Sequence, residues 1–415
     1  MIQFFYTFFI YPLMILTFRF LAFKNEKIAQ GFALRKNKSW LKPFDGQPRW
    51  LWFHVASGEF EYAKPVIKEL KKDPSQKILV TYFSPSVKPA LEKSKDVDLF
   101  VPMPWDTPWN WNEFLNHYKP QVLAIARTDT WPNMVWQTRK KNIPSILFSA
   151  TLPKSSGRYS SFWGRFFYGS IMKKLTYVSC VTEEDRQNFL RLDPSLQIGV
   201  EGDTRFDQVI QRVGENRPVK TAVEKMAPCF VVGSSWPEDE AIILPALTHP
   251  VEQGLKVILA PHEPTPSHLR DLEEKLSGLS IKSHRYSMLE DHLNAPVVIV
   301  DQVGVLADLY RLGSVAFVGG SFKKSVHSVM EPAASGALSL VGPYHHNSRE
   351  ALALKNHGFA REIANSQDLN EILMGEMNKT PQEGHGRKQA ILEFVASNRG
   401  VSHKVAQWIL REAKI

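Results

Sequence analysis

Short apolar runs recur along this 415-residue chain at about 49–56, 77–83, 98–102, 121–126, 144–149 and 176–181, and the segments between them are amphipathic. Alternation of strand-like and helix-like segments predicts successive β-α units and a parallel sheet. The rhythm breaks at the polar stretch Gln211-Arg212-Val213-Gly214-Glu215-Asn216-Arg217-Pro218, which reads as an interdomain linker. It resumes at about 229–233, 256–260, 297–300, 315–318 and 338–341. Two doubly wound α/β domains follow from the pattern, and the length has room for both. With 43% hydrophobic and 22% charged residues, wholesale disorder is excluded.

Ahead of this alternation, Ile2 to Phe23 is uncharged up to Arg19 and carries seven Phe, enough helix to cross or nearly cross a bilayer core. It has neither the charged start nor the small-residue cleavage site of a secretory signal, so it reads as a retained anchor. Pro12 should kink it, and lying in the interface is as consistent with the sequence as spanning. Lys24, Lys27, Arg35, Lys36, Lys38 and Lys42 follow at once, a basic set suited to an anionic leaflet. The net charge of +9 favours an anionic lipid or nucleotide partner. Nucleic acid fits the charge alone, but the basic residues are scattered and carry no nucleic-acid motif, so none is expected. Cys180 and Cys229 sit far apart in apolar runs, which makes them buried thiols rather than a disulfide framework or a zinc site.

At Trp52-Phe53-His54-Val55-Ala56-Ser57-Gly58-Glu59 an apolar run ends in Ser-Gly, and an acidic residue opens a segment with helical spacing of Tyr62, Val66, Ile67 and Leu70. The C-terminal strand ends of open α/β sheets border the ligand crevice. Glu59 is therefore a candidate catalytic carboxylate, and it is equally placed to complement the helix dipole. The second half repeats the design at Gly233-Ser234-Ser235-Trp236-Pro237 and at Gly319-Gly320-Ser321, the latter leading through Lys323 and Lys324 to His327, Ser328 and Glu331. Small-residue turns let backbone N–H groups approach an anion. Either turn alone is also what plain chain geometry produces; the pair, followed by a carboxylate suited to a ribose, points to a nucleotide. His54 at a strand end has the look of a satisfied buried histidine, His345-His346 of a solvated loop, and the aromatic stretch from Tyr159 to Tyr168 of core, with a membrane-facing surface as its alternative.

These residues resemble the membrane-associated Kdo transferases of lipopolysaccharide synthesis. The resemblance is collinear from the anchor to the last helix. It rests on His54…Ser57-Gly58-Glu59, Trp131-Pro132-Asn133, Gly202-Asp203-Thr204-Arg205-Phe206-Asp207, Gly233-Ser234-Ser235-Trp236-Pro237, Pro261-His262-Glu263, Gly319-Gly320-Ser321 and Glu331-Pro332-Ala333. It implies the GT-B glycosyltransferase fold, two Rossmann-like domains facing a cleft with an N-terminal membrane-associated helix. It also implies inverting transfer of 3-deoxy-D-manno-octulosonic acid (Kdo) from CMP-Kdo to a lipid A precursor, on the cytoplasmic side of the cell inner membrane. Expected boundaries are an anchor at 1–23, an acceptor-binding domain at 24–210, a linker at 211–225, a nucleotide-sugar domain at 226–398 and a last helix at 399–415 packing back on the first domain.

By the same resemblance Glu59 is the general base, with Glu61 as its stand-in, and Asp129 is a second catalytic acid. Ser57, Gly58, Arg127 and Arg205 would meet the acceptor or substrate. Ser234, Ser235, His262, Gly319, Gly320, Ser321, His327, Ser328 and Glu331 would meet the donor. The sequence offers no carboxylate cluster of the metal-binding kind, so neither a metal nor another cofactor is expected. The chain departs from the family's usual residues at Arg127 and Asp129 (both usually Glu), Thr151 (Arg), His262-Glu263 (Arg-His) and Ser328 (Asn), and its spacing from His54 to Glu59 is one residue shorter. Two further readings stand beside the first: a catalytically weakened membrane-bound homologue, and a GT-B enzyme using another nucleotide sugar.

Overall fold

The computed structural model describes residues 2–46, 48–215, 217–289, 294–346 and 348–414. The chain divides into two units, one of residues 1–208 with 398–415 and one of residues 209–397. The first is built on seven strands: β1 (Trp50–Val55), β2 (Lys77–Tyr82), β3 (Leu99–Pro102), β4 (Val122–Ala126), β5 (Ser145–Ala150), β6 (Tyr177–Cys180) and β7 (Ile198–Val200). Their spatial order is β3-β2-β1-β4-β5-β6-β7, and every pairing is parallel. Central strand β1 is buried along its whole length, as a parallel strand with helices on both faces must be. Its side chains alternate between two cores: Trp52 joins one with Leu79, Leu123 and Leu147, and Leu51, Phe53 and Val55 join the other with Val80, Ala124 and Phe148.

The last helix, Val401–Glu412, packs on this second core through Val401, Val405, Trp408 and Ile409. Its start is held by Asp207, whose carboxylate accepts from the N–H groups of Gly400 and Ser402, both at 2.7 Å. The apolar segment at the other end of the chain forms helix from Ile2 to Leu21, long and apolar enough to cross a membrane. Pro12 is accommodated just after a wider π-helical turn, Tyr6–Ile10, a known way of absorbing a missing N–H. One side of this helix is tied to the first unit. Tyr6 donates to Asp106 Oδ2 at 2.9 Å, the Tyr11 hydroxyl accepts from the Asp106 N–H at 2.7 Å, and Thr7 meets Asn133. The other side leaves Phe4, Phe8, Phe9, Leu13, Leu16 and Phe20 exposed.

The second unit also has seven strands: β8 (Cys229–Ser235), β9 (Val257–Pro261), β10 (Ser283–Arg285), β11 (Val297–Ile299), β12 (Gly313–Val318), β13 (Leu338–Val341) and β14 (Ala360–Glu362). They are ordered β10-β11-β9-β8-β12-β13-β14. Its two cores gather Phe230, Val232, Leu259 and Phe317 on one face and Val231, Ile258, Val298 and Ala316 on the other. Cys180 and Cys229 are both buried and unpaired.

Two local expectations change. Residues 211–214 are the end of a helix, Arg205–Gly214, rather than linker coil, because Phe206 and Val209 recur at helical spacing and are buried; Asn216 of that stretch lies outside the described residues. β7, β10 and β14 carry no apolar run long enough to announce them. Each has three residues and all three are sheet edges, so it is the neighbouring strand that makes them strands.

Candidate functional site

In each unit the strand order reverses beside the first strand. The chain steps outward from β1 to β2 and β3, then returns to β4 on the other side, and correspondingly from β8 to β9 and back to β12. The turns leaving the two central strands splay apart there and leave a crevice at their carboxyl ends. In the first unit those turns carry Ser57-Gly58-Glu59 after β1 and Arg127-Thr128-Asp129 after β4. In the second they carry Ser234-Ser235-Trp236 at the end of β8 and Gly319-Gly320-Ser321 after β12.

Glu59 is the cap residue of helix Phe60–Leu70. One of its oxygens, Oε2, accepts from the Ser57 N–H at 2.8 Å, which folds the turn and points the carboxylate back over the strand end. Glu61 is committed otherwise, with its two oxygens on Lys64 and Gln208. Asp129 is reached from below by a buried relay. The Trp52 indole N–H donates to Thr81 Oγ1 (2.8 Å), Thr81 meets His54 Nδ1 (2.9 Å), and His54 Nε2 meets Asp129 Oδ2 (2.9 Å). With Nε2 donating to Asp129, Nδ1 is left to accept from the Thr81 hydroxyl, whose other acceptor in reach is the Phe53 carbonyl at 3.3 Å. His54 is fully buried, and besides being satisfied it orients a carboxylate.

Arg127 stands in the left-handed region at φ 63°. Its guanidinium donates to the Tyr62 hydroxyl at 2.5 Å and lies 4.8 Å from that ring's centre. Arg205 lies 5.3 Å from the same ring and also donates to its hydroxyl, at 3.4 Å. Two cations therefore converge on Tyr62, which sits one turn into the helix that Glu59 opens. Thr204 braces the arrangement, donating to the Tyr62 carbonyl at 2.8 Å and meeting Ser149 Oγ at 3.0 Å.

In the second unit the two turns touch. The Gly319 N–H donates to the Gly233 carbonyl at 2.8 Å, and a Cβ on Gly319 would stand 2.0 Å from the Ser234 carbonyl oxygen. Gly320, at φ 83°, leaves no more room, since its Cβ would fall 2.4 Å from the Ser325 carbonyl oxygen. Buried Asp239 bolts the turns together: Oδ2 accepts from the N–H groups of Trp236 (2.9 Å) and Gly320 (2.7 Å), and Oδ1 from that of Phe322 (2.9 Å). Asp239 is not among the residues singled out from the sequence. The signal was its position three residues after Trp236, where an acid folds back on a helix start.

Above the turns three rings stack. Trp236 lies 4.6 Å from His262, and His262 lies 4.5 Å from His327. Trp236 Nε1 donates to His327 Nε2 at 3.1 Å, and Lys323 Nζ sits 3.4 Å from the Trp236 ring centre. Burial, and then the neighbouring His262, hold the His327 pKa below its ordinary value. The Glu331 carboxylate, at the first turn of helix Met330–Ala334, has no hydrogen bond or ion pair among the described residues, and Ser328 Oγ accepts from the Met330 N–H at 3.4 Å. Ser235 and Ser321 are committed within the fold. Ser235 donates to Glu240, which His268 also holds at 2.9 Å; Ser321 donates to the Val318 carbonyl and accepts from the Gly342 N–H.

Three other features fall outside these turns. Asp96-Val97-Asp98 does have the Asp-x-Asp spacing, but Asp98 precedes β3 at the opposite end of the sheet, held by Lys71 and Lys77. His345, expected in a solvated loop, is buried with Nδ1 2.9 Å from the Gly342 carbonyl. The aromatic stretch expected in the core divides: Tyr168 is buried, whereas Phe162, Trp163 and Phe166 are exposed.

Residues 26–208 match the family described as 3-Deoxy-D-manno-octulosonic-acid transferase (kdotransferase). A 3-deoxy-D-manno-octulosonic acid transferase of Aquifex aeolicus is 29% identical over 325 residues, covering 77% of this chain and 83% of the relative. The chain is similar to Kdo transferases over most of its length. A second such transferase, from Haemophilus influenzae, is 23% identical over 374 residues, 86% of each chain. Among solved structures, a glycosyltransferase from Rickettsia africae superposes with a TM-score of 0.56 at 14% identity, covering 89% of this chain and all of that one. At that identity the likeness concerns the fold alone, which is that of GT-B glycosyltransferases: two parallel-sheet α/β units.

Proposed function

We propose that this glycosyltransferase moves Kdo from CMP-Kdo to a lipid A precursor with inversion, and that Glu59 is the general base. The observation that carries the reading is the pairing of Glu59 and Asp129 at the two turns of the first unit's switch point, with Glu61 occupied by Lys64 and Gln208. A sugar hydroxyl is a poor nucleophile until its proton is taken as attack proceeds. Glu59 keeps Oε1 for that proton, since the Ser57 N–H is bound to Oε2. As the acceptor oxygen bonds to the anomeric carbon, the bond from that carbon to the phosphate oxygen breaks and its electron pair leaves on CMP. Direct displacement inverts the centre and needs no covalent enzyme intermediate. Asp129, steadied by His54, orients the acceptor, and Arg127 and Arg205 hold an anionic group of the substrates against Tyr62.

The nucleotide belongs to the second unit. The N–H groups of Trp236, Gly319 and Gly320 are held by Asp239 and Gly233, and the Ser321 N–H at the same turn suits the phosphate, while the free Glu331 carboxylate suits the ribose hydroxyls. His262 stands where the family carries Arg, stacked on both Trp236 and His327, and offers an imidazole to the phosphate. Attachment is to the cytoplasmic face of the inner membrane. The exposed apolar side of residues 4–20 and the exposed Phe162, Trp163 and Phe166 supply lipid-facing surface, and Lys24, Lys27, Lys36 and Lys38 supply charge for anionic headgroups.

The test is incubation of the purified full-length protein with CMP-Kdo and a lipid A precursor, with the product weighed and its anomeric configuration assigned by NMR. Glu59→Ala is expected to lower transfer by roughly 10²–10⁴-fold with CMP affinity intact. Retention of more than about a tenth of the wild-type rate by a folded Glu59→Ala protein would remove Glu59 as base. No product from wild type would refute the donor and acceptor together.

A further inference from the structure

An apolar slot of about 200 Å³ lies between the N-terminal helix and the strand ends of the first unit. Ile15 and Phe18 line it from the N-terminal helix, Ile28 and Phe32 from helix Glu26–Ala33, and Trp105 and Trp131 from the segments after β3 and β4. All six are only partly buried although Ile15, Trp105 and Trp131 pack against a core. Arg35 sets the width of the slot. Buried at 4% exposure, its guanidinium donates to the carbonyls of Met103 (3.0 Å), Phe83 (2.8 Å) and Gly31 (2.7 Å). It also lies over the rings of Phe83 (4.9 Å) and Trp105 (5.3 Å), so helix Glu26–Ala33 is pinned to the ends of β2 and β3 without closing on them.

Three observations identify the occupant. The helix that forms one wall presents Leu13, Leu16 and Phe20 outward, so the slot is continuous with an exposed apolar surface. Its inner end meets the carboxylate turns. Ser84 is in the wall, Ser84 and Ser57 both hydrogen-bond to the Ser86 hydroxyl (2.9 and 2.7 Å), and the Ser57 N–H is the group bound to Glu59. Trp131, in the wall two residues after Asp129, has a buried indole N–H with no acceptor among the described residues. An aliphatic chain with a carbonyl near one end satisfies all three. An apolar cavity of about 150 Å³ takes up benzene, so this one accepts a run of roughly six to eight carbons.

We infer that the slot seats one acyl chain of the acceptor lipid while a hydroxyl of that lipid's sugar reaches Glu59. The inference rests on the lipid acceptor of the preceding reading and adds where that lipid is gripped. Seating the chain fixes the distance between it and the reacting hydroxyl, so the slot selects acceptors by the position of their acyl group.

Gly31→Leu tests it, because a Cβ there meets nothing closer than Arg35 Nη1 at 3.6 Å and leucine is the better helix former; Ile28→Trp fills the slot from the same helix. With a fully acylated lipid A precursor both variants are expected to raise KM at least tenfold. With the de-O-acylated and de-N-acylated disaccharide, kcat/KM is expected to stay within twofold of wild type. An unchanged KM on the acylated acceptor in folded variants overturns the inference, as does an equal loss on both acceptors.

A second arm needs no donor. A lipid A precursor carrying a diazirine near the end of one acyl chain is photolysed with the full-length protein, and adducts are expected on the peptides containing Ile28 and Trp131. Adducts confined to the exposed side of residues 4–20 overturn the inference. So does equal labelling of the slot by a diazirine phospholipid in phosphatidylethanolamine and phosphatidylglycerol vesicles while the precursor is present, which would make it a site for bulk lipid. Slot labelling by a wild-type protein that transfers no Kdo would instead refute the reaction and leave the slot standing.

Discussion

Asp239 gives the sharpest perturbation, because one fully buried carboxylate receives three main-chain N–H groups from both nucleotide-side turns. Asp239→Ala strands three buried donors. Each unsatisfied group costs about 1–3 kcal/mol, so with some relaxation the sum is roughly 3–6 kcal/mol, against about 5–15 kcal/mol for a whole domain. Asp239→Asn is the more informative change. Its oxygen can keep the Trp236 and Gly320 N–H groups, but its NH2 then faces the Phe322 N–H, so one bond and the charge on the others are lost, about 2–3 kcal/mol.

The assay is amide hydrogen exchange on the full-length protein, which reads the second unit residue by residue. Gly320 and Phe322 are expected to exchange at least tenfold faster in the asparagine variant, with the first unit unchanged. CMP affinity by calorimetry is expected to fall at least tenfold, because the turn that presents the Ser321 N–H to the phosphate loses its spacing. Exchange at Gly320 and Phe322 within twofold of wild type would refute the claim that this carboxylate holds the turns together.

Gly319→Ala drives a methyl group onto main-chain atoms of Ser234, so the cost lies at or above the upper end of about 1–3 kcal/mol for overpacking; thermal unfolding reads it, and an unchanged midpoint would rule out the close approach. Glu331→Gln removes the charge offered to a ribose, worth about 1.5–3 kcal/mol, so calorimetry is expected to find CMP bound roughly ten- to a hundredfold more weakly, and equal affinity would place the ribose elsewhere. Burial raises the Asp106 carboxyl to about 6 despite hydrogen bonds from Asn133, Trp111, Tyr6 and Met134 that lower it. Between its unfolded value and that one the native state binds the extra proton, so this group adds stability as pH falls from about 6 towards 4 and loses it as pH rises. Denaturant midpoints of Asp106→Asn across that window are expected to show a flatter pH slope than wild type, and parallel slopes would contradict the raised value.

Eleven of the fourteen strands among the described residues, the two-unit organisation and three of the four candidate turns were legible in the sequence, because each rests on a local signal: an apolar run, a small-residue turn, an acid at a helix start; the Arg127–Asp129 turn came from the family resemblance alone. The apolar N-terminal helix was equally legible. What its polar residues do was not, since Tyr6, Thr7 and Tyr11 find their partners at Asp106 and Asn133, about a hundred residues or more away along the chain. The edge strands β7, β10 and β14 were lost for a related reason: sheet hydrogen bonding to a neighbour makes them strands, and no periodicity records it.

The sequence by itself determined which residues end up at strand ends, because the burial of β1, β4, β8 and β12 follows from their composition. Only the tertiary structure decided which strand ends are neighbours. The reversal of strand order beside β1 and β8 puts the turns of Glu59 and Asp129 at neighbouring strand ends and brings Gly319 against Ser234, pairs separated by 70 and 85 residues. It likewise decided that His54 orients Asp129, that Ser235 and Ser321 spend their hydroxyls on the fold, and that Asp239 bridges two turns. Hydrogen bonds of this kind depend on distances of about 3 Å, which are set by how helices pack on sheets and not by any local pattern.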